Sequence, residues 1–175
     1  FHLSLQSGCD ATLKRMNRKY DTARYLESVR LLRQYFDRPG ITTDLIVGFP
    51  GETEEEFTST LAFLRECSFS AIHIFPYSKR PGTPAATMAH QVPRAEKEAR
   101  AHRAAQVMET LRQQYLQSWV GHSLPVLFEE EKAGAWRGYA PNYVEVKVAS
   151  AESLHNIEKT VTITAVSGAS LLGEV

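Results

Sequence analysis

Cysteine is nearly absent from this sequence: Cys9 and Cys67 are the only two in 175 residues. Two cysteines make no disulfide framework, and no C-x-x-C metal or redox motif occurs. Paired histidines at ligand spacing are also missing. The six lie scattered at positions 2, 73, 90, 102, 122 and 155, so no metal site is supported. No apolar run approaches the roughly 18 residues of a membrane span, and no signal peptide opens the chain. A soluble cytoplasmic protein without a membrane partner is the expectation. G-x-S-x-G, Walker A and G-x-G-x-x-G are absent, which removes the common hydrolase and nucleotide-loop signatures. Net charge is lacking too, because 20 Lys and Arg balance 20 Asp and Glu. The basic surface of a strong RNA binder is therefore not evident. An initiating Met is missing as well. Phe1-His2-Leu3-Ser4-Leu5 reads as a strand already under way, and the chain is expected to be part of a longer one.

What is present is ordinary globular composition, 43% hydrophobic and 23% charged. A chain of this length buries roughly 70% of its unfolded surface, enough for one good core or two small ones. Residues 1–90 carry a net charge of +1, residues 91–121 of +2 and residues 122–175 of −3. The uneven split suggests two units joined by a middle segment.

The pattern alternates strand and helix, then turns to short strands. Phe1 to Leu5 is the end of a strand, and Gln6 to Tyr20 is polar and basic. Asp21 caps a helix to about Phe36, with Tyr25, Val29, Leu32 and Phe36 on one face. Ile41 to Phe49 is rich in β-branched residues and reads as a buried strand, broken by Pro50-Gly51. Thr53 and Glu56 form a capping box for the next helix, striped by Phe57, Leu61 and Leu64. Ala71 to Tyr77 is the next strand. The order β-α-β-α-β implies parallel strands. A proline-rich loop precedes a long helix over about 94–119. Its Ala and Leu stripe is core, and Lys97 and Arg100 are expected on the solvated face. From Leu124 onward, short strands around 125–128, 143–148, 160–166 and 171–175 suggest a small OB-like barrel. The expected divisions are 1–92, 93–121 and 122–175.

Ligands of parallel α/β units bind at the carboxyl ends of the strands. Gln6-Ser7-Gly8, Gly48-Phe49-Pro50-Gly51 and Tyr77-Ser78-Lys79-Arg80 are therefore expected on one rim. Asp44 is the most informative residue, since an unpaired carboxylate inside an apolar strand is costly. Alternation puts Thr42, Asp44, Ile46 and Gly48 on one face, with the more apolar Thr43, Leu45, Val47 and Phe49 toward the helices. Asp44 then faces a ligand or cation, or it bonds to a neighbouring loop. Lys14, Arg15, Arg18 and Lys19 are a solvated cluster or an anion site, and Tyr77, Arg80, Gly82 and Thr83 carry the same ambiguity. Cys9 has no evident partner and reads as packing or as support behind the site.

The wording of three segments is specific. Leu3-Ser4-Leu5-Gln6-Ser7-Gly8-Cys9-Asp10 with Leu13-Lys14-Arg15-Met16-Asn17-Arg18-Lys19-Tyr20 is the first. Thr43-Asp44-Leu45-Ile46-Val47-Gly48-Phe49-Pro50-Gly51-Glu52-Thr53 is the second. Phe75-Pro76-Tyr77-Ser78 with Arg80-Pro81-Gly82-Thr83 and Ala85 is the third. Together they closely resemble the radical S-adenosylmethionine methylthiotransferases, and the tail resembles the TRAM domain that ends those enzymes. The first segment is most similar to the branch acting on threonylcarbamoyladenosine in tRNA. The isopentenyladenosine and ribosomal-protein branches are the alternatives.

The resemblance implies an α/β fold. It comprises the second half of a partial TIM-type radical barrel, a long linking helix and a small OB-like TRAM barrel. It implies S-adenosylmethionine as cofactor and two [4Fe–4S] clusters in the whole enzyme. One cluster is held by C-x-x-x-C-x-x-C with an open iron. Those cysteines are not in this sequence, so no metal ligand or catalytic residue is expected here, and the chain alone is expected to be inactive. The implied reaction puts sulfur and a methyl group on C2 of the adenine of N6-threonylcarbamoyladenosine beside the anticodon, through a deoxyadenosyl radical. The implied partners are the tRNA anticodon stem-loop and the missing N-terminal domains. Gln6, Ser7, Arg18, Asp44, Phe75 and Tyr77 are expected at the cofactor. Arg80, Thr83, Arg137, Tyr139 and Lys147 are expected toward substrate. The tail's net −3 opposes a phosphate partner, and the alternative is that the tail only packs. A reading of another class is a cluster-free RNA-binding or scaffold module.

Overall fold

The computed structural model describes residues 1–175, and these form two compact units, Phe1–Leu111 and Arg112–Val175. In the first, α1 (Asp10–Arg15) and α2 (Thr22–Tyr35) precede β1 (Thr42–Val47), α3 (Glu54–Cys67) and β2 (Ala71–Pro76). A short α4 (Pro84–Thr87) interrupts the proline-rich loop, and α5 (Arg94–Gln117) runs past the division between the units. The helix α1 lies within the stretch expected to be merely polar and basic. Its six residues are too few to show helical periodicity.

β1 and β2 pair in parallel, with Asp44 beside His73 and Val47 beside Pro76. The opening segment runs parallel to β1 as well. Leu3 N–H donates to Thr42 C=O and Gln6 N–H to Asp44 C=O, each at 2.9 Å. It makes only isolated bridges, at His2–Thr42 and Gln6–Leu45, and not a continuous strand. Side chains hold it in place. Tyr25 Oη donates to Leu3 C=O at 2.6 Å, and the Thr43 hydroxyl accepts from Leu5 N–H at 3.0 Å.

Burial along β1 alternates as its sequence suggests: Thr43, Leu45 and Val47 are buried, and Thr42, Asp44 and Ile46 are less so. Leu45 and Val47 share one buried core with Phe57 and Leu64 of α3 and Ala104, Val107 and Leu111 of α5. Each large side chain fully buried this way contributes roughly 1.5–3 kcal/mol. α3 starts where its sequence demands: the Thr53 hydroxyl accepts from Glu56 N–H at 3.2 Å, and Glu56 accepts from Thr53 N–H at 3.1 Å.

The second unit is a closed five-stranded barrel in the order β3-β4-β5-β7-β6. Its strands are β3 (Ser123–Lys132), β4 (Ala135–Tyr139), β5 (Glu145–Val148), β6 (Glu158–Ser167) and β7 (Ser170–Glu174). Every neighbour is antiparallel except β5 and β7, which are parallel. β4 was not read from the sequence, because Gly134 and Gly138 mask its alternation. Gly138 is a close-packing position: a Cβ there would run into the backbone of Leu127 and Phe128. Leu116 and Trp119 close the barrel core together with Val126, Phe128 and Val146.

Candidate functional site

The carboxyl ends of β1 and β2 and the Gln6 segment open onto one cavity of about 510 Å³. Gln6, Arg18, Asp44, Ile46, Phe49, Phe75, Tyr77, Ser78, Arg80 and Thr83 are among its lining residues. The three loops expected on one rim thus contribute to a single concavity, at the place parallel strands favour.

Asp44 lines it with a partly exposed side chain. His2 Nε2 lies 3.2 Å from Oδ2, and the Ser4 hydroxyl donates to the same oxygen at 3.4 Å. Both sequence readings of Asp44 therefore apply, since it bonds to the neighbouring segment and also faces the cavity. Gln6 is nearly buried and holds φ at +70°, a left-handed conformation costly for a residue with a side chain. Its backbone is fixed on both sides, by Gln6 N–H to Asp44 C=O and Ile46 N–H to Gln6 C=O. Phe75 is 52% exposed although it stands at the end of a strand, an open aromatic face beside Phe49 and Tyr77. The rings of Phe49 and Tyr77 meet edge to face at 5.3 Å. Arg18 and Arg80 are the two cationic residues that line it.

The basic cluster divides. Arg18 reaches the cavity, whereas Arg15 turns away to clasp Glu56 of α3 with both terminal nitrogens. That guanidinium hydrogen-bonds the Glu56 carboxyl and holds it below the usual carboxylate range. Lys14 and Lys19 are exposed.

Ser7 does not line the cavity. It is buried, its hydroxyl 3.3 Å from that of Thr60 and accepting from Cys9 N–H at 3.3 Å. The Thr83 hydroxyl donates to Arg80 C=O at 2.8 Å, closing the turn that carries Arg80. Arg137, Tyr139 and Lys147 belong to the barrel. Arg137 stands opposite Lys147, and Tyr139 opposite Glu145, on the outward side of β4 and β5. Trp136, Val146 and Val148 fill the inward side. Lys147 is engaged by Glu145 at 3.2 Å.

Lys97 and Arg100 correct the sequence reading, which left both in solvent. Arg100 is 2% exposed and donates to Glu52 at both its backbone carbonyl, 2.9 Å, and its carboxylate, 2.8 Å. Lys97 Nζ donates to Tyr77 C=O at 2.8 Å. A single helical stripe carries no signal for this, because the partners are 20 and 48 residues away. Burial pushes the Glu52 carboxyl above the usual range, despite bonds from Gly48 N–H and Arg100.

In chemical terms the cavity offers a carboxylate, two cations and open aromatic faces. That set fits a molecule with a cationic centre, a carboxylate and a flat base, and S-adenosylmethionine has all three.

Residues 1–64 match the Radical SAM superfamily. The threonylcarbamoyladenosine tRNA methylthiotransferase MtaB of Bacillus subtilis is 39% identical over 158 residues, 87% of this chain and 35% of its own length. The tRNA-2-methylthio-N(6)-dimethylallyladenosine synthase of Saccharopolyspora erythraea is 43% identical over 74% of this chain and 26% of its own. The same-named enzyme of Mycobacterium avium is 45% identical over 72% and 18%. The chain thus spans from under a fifth to about a third of the length of these curated relatives. These matches show that the chain belongs to the radical S-adenosylmethionine methylthiotransferase family.

Proposed function

We propose that this chain supplies the carboxyl-side wall of the S-adenosylmethionine site, and a barrel facing RNA, to a tRNA methylthiotransferase of the cytoplasm. The observation that carries the reading is the single cavity joining Gln6, Arg18, Asp44, Phe75 and Tyr77. The cluster-binding C-x-x-x-C-x-x-C is not among these residues. In this reading the chain works joined to a part that bears it, in an enzyme with two [4Fe–4S] clusters.

These residues would hold S-adenosylmethionine, which, given one electron from the cluster of the joined part, would supply the radical chemistry. This chain's residues hold and orient. Asp44 accepts from a ribose hydroxyl or balances the cationic sulfur, and its bonds to His2 and Ser4 fix its rotamer. Arg18 pairs with a carboxylate. Phe75 and Tyr77 cover the adenine and keep water off it. Ser7 acts behind Gln6, anchoring the turn to α3 through Thr60. Arg80 and Thr83 stand on the side where the substrate nucleoside enters, beside the anticodon of the tRNA.

The substrate is N6-threonylcarbamoyladenosine in this reading. The wording around Cys9 and Asn17 supports it, as does the 87% of the chain aligned with MtaB. Dimethylallyladenosine is the second reading, favoured by the higher identity of the shorter matches. Mass spectrometry of tRNA nucleosides from a deletion strain decides. Loss of the 2-methylthio group from threonylcarbamoyladenosine alone is expected. Loss from dimethylallyladenosine would reassign the substrate, and loss from neither would remove the function.

For the second unit, the strand order and the parallel β5 and β7 pair support an OB-like barrel of the TRAM kind. OB-folds bind nucleic acid across their second and third strands. Here those are β4 and β5, which carry Arg137, Tyr139 and Lys147 outward. The tail's net −3 and the engaged Lys147 limit the phosphate contacts. A shallow salt dependence of tRNA binding is therefore expected.

A further inference from the structure

One helix ties together the two turns that wall the cavity. Lys97 and Arg100 stand three residues apart on α5 and reach different turns. Lys97 Nζ donates to Tyr77 C=O at 2.8 Å, with the ammonium 5.7 Å from the centre of the Tyr77 ring. Its stem crosses Gly48 so closely that any Cβ on Gly48 would overlap Lys97 Cγ. Arg100 donates to Glu52 C=O and to Glu52 Oε2, and the same Oε2 accepts from Gly48 N–H at 2.6 Å. Gly48 is therefore held through its amide by Glu52 and covered on its open face by Lys97. Tyr77 N–H in turn donates to Val47 C=O at 2.9 Å, so the two turns are joined at the backbone as well.

None of Gly48, Glu52, Lys97 and Arg100 lines the cavity, whereas Phe49, Tyr77 and Ser78, which they hold, do. The fully buried ion pair of Arg100 with Glu52 adds little stability over a well-packed apolar pair. Its distinctive property is directional: it fixes one turn against one helix. Lys97 does the same for the other turn from the same helix. We propose that Lys97 and Arg100 are positioning residues, which set the spacing of Phe49 and Tyr77 and so the fit of the ligand at the carboxyl ends of β1 and β2. The proposal rests on reading the cavity as the S-adenosylmethionine site.

Two measurements test it. In the 175-residue chain, hydrogen exchange at Gly48–Glu52 and Tyr77–Arg80 is compared among wild type, Lys97→Met and Lys97→Arg. Met keeps the stem over Gly48 and removes the donor, and Arg keeps a donor. Exchange is expected to quicken in both turns with Lys97→Met and to stay near wild type with Lys97→Arg. In the protein joined to its cysteine-bearing part, calorimetry with S-adenosylmethionine is expected to show about tenfold weaker binding for Lys97→Met, the scale of one lost charge-assisted hydrogen bond. Lys97→Arg is expected to restore it. Unchanged exchange overturns the clamp, whatever the affinity. Quickened exchange with unchanged affinity overturns its role in ligand positioning. Absence of binding by wild type overturns instead the reading of the cavity, and the exchange result still decides the clamp.

Discussion

At Gly48 the absence of a side chain is a steric requirement. Its φ is +69° and Lys97 fills the space where a Cβ would go. Gly48→Ala is expected to cost about 2 kcal/mol in urea unfolding, from left-handed strain and overlap together. Gly48→Ala with Lys97→Ala should recover part of that cost by removing the overlap. Equal losses for the single and double variants would show that only the strain matters. Asp44 was legible in the sequence, because a carboxylate in an apolar strand has few physical explanations. Gln6 was legible only through its motif, because its left-handed backbone leaves no trace in residue type. Lys97 and Arg100 were not legible: a cation on a charged helix face reads as solvated until its distant partner is known. The two cysteines differ in environment. Burial pushes the Cys67 thiol up to about 12, while Cys9 is half-buried. Iodoacetamide is expected to modify Cys9 and spare Cys67 in the native chain. Equal rates would contradict the buried placement.

Among the elements, α3 was the most legible, because Thr53 and Glu56 announce its start and Phe57, Leu61 and Leu64 its inner face. Glu56 has a second role that spacing does not reveal: it receives Arg15 from α1, 41 residues earlier. The carboxyl is depressed in the folded state, chiefly by that bond. Its stabilisation is then present above the unfolded glutamate value, about 4.3, and is lost as pH falls through the lower folded value. Acid unfolding of Glu56→Gln should accordingly show a shallower fall of stability below about pH 4 than wild type. An identical slope would remove the bond from the stability of the fold. Partial exposure of Arg15 and Glu56 keeps the effect modest. The opening segment shows the opposite outcome. Its apolar run reads as a strand, yet only two bridges form, and the hydroxyls of Tyr20, Tyr25 and Thr43 are among the further anchors.

The molecule as a whole divides into an α/β unit and a five-stranded barrel, and the division falls within the long helix, between Leu111 and Arg112. The helix itself serves both cores, through Ala104, Val107 and Leu111 in one and Leu116 in the other. Its charged surface residues conceal that double role in the sequence. The neutral total charge says little, and its split says more: in the proposed RNA-facing role, the −3 of residues 122–175 leaves the contact weak and dependent on aromatic stacking. Anaerobic iron–sulfide reconstitution of these 175 residues is expected to give no stable cluster, because the C-x-x-x-C-x-x-C is not among them. A persistent cluster absorbance would contradict that. The most direct test of the central claim is calorimetric titration of S-adenosylmethionine into the protein joined to its cysteine-bearing part, wild type against Asp44→Ala. Asp44→Ala is expected to weaken binding by roughly tenfold or more, as loss of a charged hydrogen-bonding partner does. An unchanged affinity would place the cofactor elsewhere and contradict the assignment of the cavity.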